Sequence, residues 1–363
     1  PLLLALSWGG NDYPWSSPVI IGLFTLAVVM LLIFLQVERR AAEPIIPLSL
    51  FANSVVTTSV VALTLMALGM FGTILFIPLF IQGVIGTNAT QSGTVLMPMM
   101  IVNILASIIS GQIISKTGRY KPAGLFGLSV MTVGLFLLSG MGPDTDYLVV
   151  IRNMVIVGLG MGPAMPVFTL AAQNAVKMSQ LGVVTSLTQF ARSIGATIGV
   201  AIFGSLLTNR FAPSFQAALS PEVSAIVPPA QLAQFQNPQA LLNPQAADAM
   251  RLAVLQLGPQ GAQVYDELFA AIKIGLVAAL HDVFLLGAVL AALGAVTVLF
   301  MRELPLRKSY GPPSGADSAA QVGHDAVPSL PQLRPEDQRV PEPSAVRRHP
   351  SVVGDRRASD GEG

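Results

Sequence analysis

Cysteine is absent from the 363 residues, which excludes disulfides, thiolate nucleophiles and cysteine metal sites. Charge is scarce as well: Asp, Glu, Lys and Arg make up 11% of the chain, against about a quarter in soluble domains. Of three histidines, His324 and His349 lie in the polar C-terminal stretch, leaving His281 alone in the apolar part. No P-loop, HExxH or GxSxG occurs, and no catalytic cluster of His, Asp and Glu, so the residues predict neither an enzyme nor a cofactor or metal. The net charge of +1 is spread over loops and tail rather than gathered on one face, which argues against a nucleic-acid partner.

What is abundant is apolar sequence. Hydrophobic residues reach 52%, and the run between Glu43 and Lys116 contains no charge at all, long enough for two membrane passes at ~20 residues each. Runs of spanning length fall at Pro18 to Val37, Val55 to Ile81, Gly93 to Ser115, Pro122 to Met141, Leu148 to Ala172, Leu181 to Leu207 and Leu276 to Met301. The fold class expected is therefore an all-α polytopic membrane protein in contact with the lipid bilayer. Basic residues mark alternate loops, with Arg39 and Arg40, then Lys116, Arg119 and Lys121, then Lys177, then Arg302, Arg307 and Lys308. By the positive-inside rule these loops and the C-terminus are cytoplasmic, in a multi-pass protein of the inner or plasma membrane.

The chain opens at Pro1 directly into PLLLALSWGG, which reads as the last turns of an apolar helix, so the chain is expected to be the C-terminal part of something longer. The expected organisation is a helix end and outer loop at 1–17, a spanning helix and cytoplasmic linker at 18–53, a six-helix bundle at 54–301 with an outer loop at 208–275, and a disordered cytoplasmic tail at 302–363. Within the long loop, Val264 to Leu280 regains helical spacing and is expected to lead into the final span.

Few residues inside the spans can carry chemistry. Arg192 sits mid-span, where an Arg costs about 2.5–3.5 kcal/mol on insertion scales, and its helical neighbours Thr185, Thr188, Gln189, Gly195, Ala196 and Gly199 are polar or small. Such a face points into the bundle or a watery cavity; substrate binding and a structural ion pair both remain open. Asn103, Ser107, Ser110 and Gly111 form a second polar stripe, readable as close helix packing or as a cavity wall. Phe71, Met100, Met161 and Met165 belong to a set of soft apolar side chains suited to lining a pocket for varied ligands. GLGMGPAMP, Gly158 to Pro166, combines small-residue spacing with two prolines and reads as a tight, kinked crossing. Apart from Asp282, beside His281 at a helix end, no acid lies in any span; the pair reads as an interfacial helix end, with an external proton relay as the alternative. Asn88-Ala89-Thr90 matches a glycosylation sequon.

The loop GQIISKTGRYKP, through Gly111, Lys116, Gly118, Arg119 and Lys121, resembles the cytoplasmic-loop motif of the major facilitator superfamily, with Ser115 where the stronger copy has Asp. WGGNDYPWSSP, ERRAAEPIIPLSLF, IRNMVIVGLGMGP and QFARSIGATIGVAIFG, in that order, are similar to the fourteen-spanner drug:proton antiporters of the QacA/EmrB type. The resemblance implies that residues 54–301 are the C-terminal six-helix bundle, that the partners are protons, a small-molecule substrate and a missing N-terminal helical half, and that the proton site belongs to that half. It implies proton-coupled export of drugs or lipophilic solutes by alternating access, with Asn103 and Arg192 on the cavity side. A permease for a metabolite or anionic solute and a non-transporting scaffold or sensor are the alternatives.

Overall fold

The computed structural model describes residues 1–9, 13–41, 47–87, 89–227, 232 and 261–306. Asn88 of the sequon, the centre of the long loop, and the tail from residue 307 with His324 and His349 lie outside the described residues.

Among the described residues the regular structure is helical: α1 (Leu2–Trp8), α2 (Pro18–Arg40), α3 (Ser54–Phe80), α4 (Ala89–Thr117), α5 (Lys121–Ser139), α6 (Tyr147–Asn174), α7 (Leu181–Ala218), α8 (Pro221–Ile226) and α9 (Gly261–Leu299). Seven are long and apolar enough to cross a membrane. The last span follows the expected spacing, whereas the span read as Leu181 to Leu207 continues as helix to Ala218. α7 and α9 are held together past the expected boundaries, because Gly275 brings the α9 backbone against Phe211 and Phe215.

Local chemistry sets the helix ends. Asn53 caps α3, its Oδ1 accepting from the Val55 N–H at 3.0 Å while its Nδ2 donates to the Ala175 carbonyl at 2.9 Å. Beyond Pro78, α3 widens into a π-type turn over Ile81–Ile85 and stops at Gly86, whose φ of 82° is left-handed. Gly118 ends α4 in the same way, with φ 70° and its N–H on the Ile114 carbonyl at 2.8 Å.

The six long helices from α3 onward form two interlocked groups. α3 packs on α7 and α9, α6 packs on α4 and α5, and the groups meet through α3 with α6 and α5 with α9. Exchanging α3–α4–α5 for α6–α7–α9 leaves this pattern nearly unchanged, the arrangement of a three-plus-three repeat. Glycines set the close approaches. A Cβ at Gly158 would strike the Met99 carbonyl of α4, one at Gly162 would stand 2.5 Å from the Asn103 carbonyl, and one at Gly160 would strike the Met131 amide of α5. GLGMG thus seats α6 between two helices, with alternate glycines serving each. α2 stands apart: it packs on α1, and of its 23 residues only Ile20 and Glu38 are buried.

Candidate functional site

Side-chain contacts give the bundle two chemically distinct ends. At one end the turn between α4 and α5 clamps the chain leaving α9. The Lys121 Nζ donates to the Leu299 carbonyl at 2.8 Å, the Leu304 N–H donates to the Tyr120 hydroxyl at 2.9 Å, and Asn174 Nδ2 donates to the Pro305 carbonyl at 3.1 Å. A lysine on the last carbonyls of a helix satisfies an acceptor and opposes the negative end of the helix dipole. Tyr120 is fully buried, and burial first, with the nearby Glu303 carboxylate adding to it, raises its hydroxyl above the ordinary 10.0, hydrogen bonding to Leu304 acting the other way. This end also carries Lys116, Arg119, Lys177 and Arg302, so three of the basic loops that the sequence places on one side share one end; Arg307 and Lys308 lie outside the described residues.

At the opposite end, Asp282 accepts from Arg210 Nε at 2.7 Å, the one ion pair among the described residues. His281 Nδ1 lies 2.7 Å from the Ser139 carbonyl at the end of α5; since a carbonyl only accepts, Nδ1 carries the proton. His281 and Asp282 lie at mid-length of α9, because that helix begins at Gly261, and not at the helix end expected from the sequence; both are engaged in tying α9 to its neighbours α5 and α7, and sequence spacing gave no hint of Arg210 as partner.

Between these ends lies Arg192 on α7. Its Nη1 meets the thioether of Met165 on α6 at 3.6 Å, so two residues singled out separately in the sequence come together across the bundle. No carboxylate of the described residues pairs with Arg192. Its neighbours divide: Thr188, Gly195 and Gly199 are buried, and the two glycines seat α7 on the Thr64 and Leu68 carbonyls of α3, while Thr185, Gln189, Ser193 and Thr197 form an exposed polar stripe. Thr185 and Thr197 donate to the carbonyls four residues back, but the Gln189 amide has no hydrogen bond within the described residues. An unsatisfied amide is costly in hydrocarbon, so this face belongs against water or another helical body.

The other nominated residues are spread out. Asn103 is half-buried on α4, its backbone supporting Gly162; Phe71 and Met161 are half-buried against the main core; Met100 is exposed on the outward face of α4 among Ile101, Ile104 and Leu105. α4 leans on α6, and α7 on α3 and α9, so Asn103 and Arg192 belong to different groups. Of the loop motif, Gly118 makes the left-handed turn and Lys121 forms the clamp, while Gly111 is exposed with open space where a Cβ would stand.

Comparison with known proteins agrees with this architecture. The family model described as Major Facilitator Superfamily matches residues 1–200. The chain belongs to the Major Facilitator Superfamily. Among superfamily relatives, the multidrug transporter protein MdtP of Bacillus subtilis is 41% identical over 314 residues, covering 84% of this chain and 56% of that protein. Multidrug resistance protein 3 of the same species is 33% identical, covering 83% of this chain and 56% of that protein. A tetracycline resistance determinant of Streptomyces rimosus is 30% identical over 340 residues, covering 90% of this chain and 95% of that protein. The chain therefore spans about half the length of the two Bacillus relatives. As a superfamily member with these spans it is a multi-pass membrane protein and not an enzyme.

Proposed function

We propose that this chain is the C-terminal portion of a proton-coupled exporter of drugs or lipophilic solutes, of the fourteen-spanner type, working by alternating access in the plasma membrane with its C-terminus cytoplasmic. The observation that carries the reading is the exposed polar stripe of α7, Gln189 above all, beside Arg192 in an otherwise apolar span. A face of that kind suits a water-filled central cavity closed on its other side by a second helical half. The names of the Bacillus relatives supply the substrate class. Their greater length supports an N-terminal half beyond these residues, and the poorly covered α2 suits the extra helices of that type. In this reading residues 54–301 are the C-terminal bundle, Asn103, Gln189, Arg192, Phe71, Met100, Met161 and Met165 are candidates for the substrate side, and the basic end with Lys116, Arg119 and Lys121 is cytoplasmic.

The test is dye efflux from energised cells expressing the chain alone or together with the N-terminal half of the B. subtilis multidrug transporter. Protonophore-sensitive efflux only in the combination is expected, because alternating access rocks one bundle against another. Efflux by the chain alone overturns the half-carrier reading.

A second reading, a permease for anionic solutes, is favoured by one observation: among the described residues Arg192 meets a thioether and no carboxylate, leaving its charge for a ligand. Arg192→Gln separates the two. Selective loss of anion transport supports the permease, and loss of cationic dye efflux supports the exporter.

A further inference from the structure

The approximate exchange symmetry of the bundle breaks at one place. α7 and α9 pack on each other over α3, but their counterparts α4 and α5 have no comparable interface over α6. The result is a cleft between α4 and α5 with a cavity of about 530 Å³, walled by Ile109 and Ile113 of α4 and Phe126 of α5, floored by Leu159 and Pro163 of α6, with Arg119 at its mouth.

Three features define what fits there. The first is depth: the α4 wall runs from Ala106 to Thr117, about 16 Å at 1.5 Å per residue, or about half of a ~30 Å hydrocarbon core. The second is polarity, which is apolar along the walls and cationic only at the membrane-surface end, where Arg119 and the nearby Lys116 are both exposed. The third is charge balance. No Asp or Glu occurs between Glu43 and Asp144, nor within α6, so none of the three walls carries a carboxylate; the nearest one identified at this end, Glu303, accepts from the Lys121 N–H at 3.4 Å on the α9 side. Arg119 makes no ion pair among the described residues.

We infer that this cleft binds an anionic phospholipid of the adjacent leaflet, one acyl chain lying between α4 and α5 and the headgroup phosphate meeting the Arg119 guanidinium. Arg suits the role because its planar fork donates two hydrogen bonds to one phosphate. A bound lipid fills the gap that the missing α4–α5 interface leaves, and so splints the half of the bundle that carries Asn103. The inference rests on the proposed placement of the basic end at the membrane surface; its test reads lipid retention and not transport, so it stands or falls apart from the efflux experiment.

Native mass spectrometry of the 363-residue chain, released from detergent with phosphatidylglycerol or with phosphatidylcholine of identical acyl chains, provides that test. Retention of phosphatidylglycerol about tenfold above phosphatidylcholine is expected, with the preference lost in Arg119→Gln. Ala123→Trp, which fills the cleft, is expected to abolish retention of both lipids. Equal retention by the unaltered chain, an undiminished preference in Arg119→Gln, or displacement by free glycerol phosphate overturns the site. Circular dichroism checks folding, and if Ala123→Trp loses helix the exposed Arg119→Gln change decides the matter alone.

Discussion

The buried hydroxyl of Tyr120 accepts the backbone N–H of Leu304, 184 residues further along the chain, at 2.9 Å. Together with Lys121 on the Leu299 carbonyl, this contact makes the α4–α5 turn a clasp for the end of the last helix. Tyr120→Phe leaves the Leu304 N–H without its partner and is expected to cost about 1–3 kcal/mol, read as a lower unfolding temperature in detergent.

The same tyrosine gives a pH dependence. Its folded-state pKa is raised above 10.0, so the folded protein holds the phenolic proton more tightly than the unfolded chain. Its contribution is complete below pH 10 and declines as pH rises through the folded-state value. Stability measured from pH 9 upward is expected to fall less steeply in Tyr120→Phe than in the unaltered chain.

The absence of cysteine makes the polar stripe on α7 directly testable. A single cysteine in place of Gln189 is expected to react with a membrane-impermeant maleimide, because the thiolate needs water. One in place of Ile104, 59% exposed on the apolar face of α4, is expected to stay unlabelled in a bilayer. Equal labelling of the two positions, in either direction, contradicts the assignment of the α7 face to water.

Glycine substitutions should separate sharply. Gly160→Val pushes a side chain into the Met131 backbone and the Gly127 carbonyl and is expected to abolish folding, seen as aggregation on gel filtration. Gly111→Ala meets open space inside a helix and is expected to stabilise by about 0.5–1 kcal/mol.

The Arg210–Asp282 pair links α7 to α9 but is partly solvent-exposed, at 63% and 28% of the two side chains. Asp282→Asn is expected to cost no more than about 1 kcal/mol and to weaken the salt dependence of unfolding. If the chain works in the exporter proposed above, this substitution should leave protonophore-sensitive efflux in place; complete loss of coupling would return Asp282 to the proton pathway.

Composition and periodicity by themselves determined that the chain is a multi-pass membrane protein, where the seven candidate spans among the described residues lie, and that the loops carrying Lys116, Lys177 and Arg302 share one end. Those properties follow from apolar length and from the placement of Lys and Arg, both local in sequence. GLGMGPAMP could likewise be read as a close crossing, because only small residues let two backbones meet. Which glycine faces which helix was decided by tertiary structure, since α6 is gripped from two sides and Gly158, Gly160 and Gly162 alternate between α4 and α5. Arg192 stood out in the sequence as an expensive charge, but its meeting with Met165 depends on how α7 is rotated against α6. Asp282 gave no sign of Arg210, nor Tyr120 of Leu304, and the open cleft between α4 and α5 left no mark in either helix. Each of these depends on helices distant in sequence being brought side by side, and no local pattern encodes that.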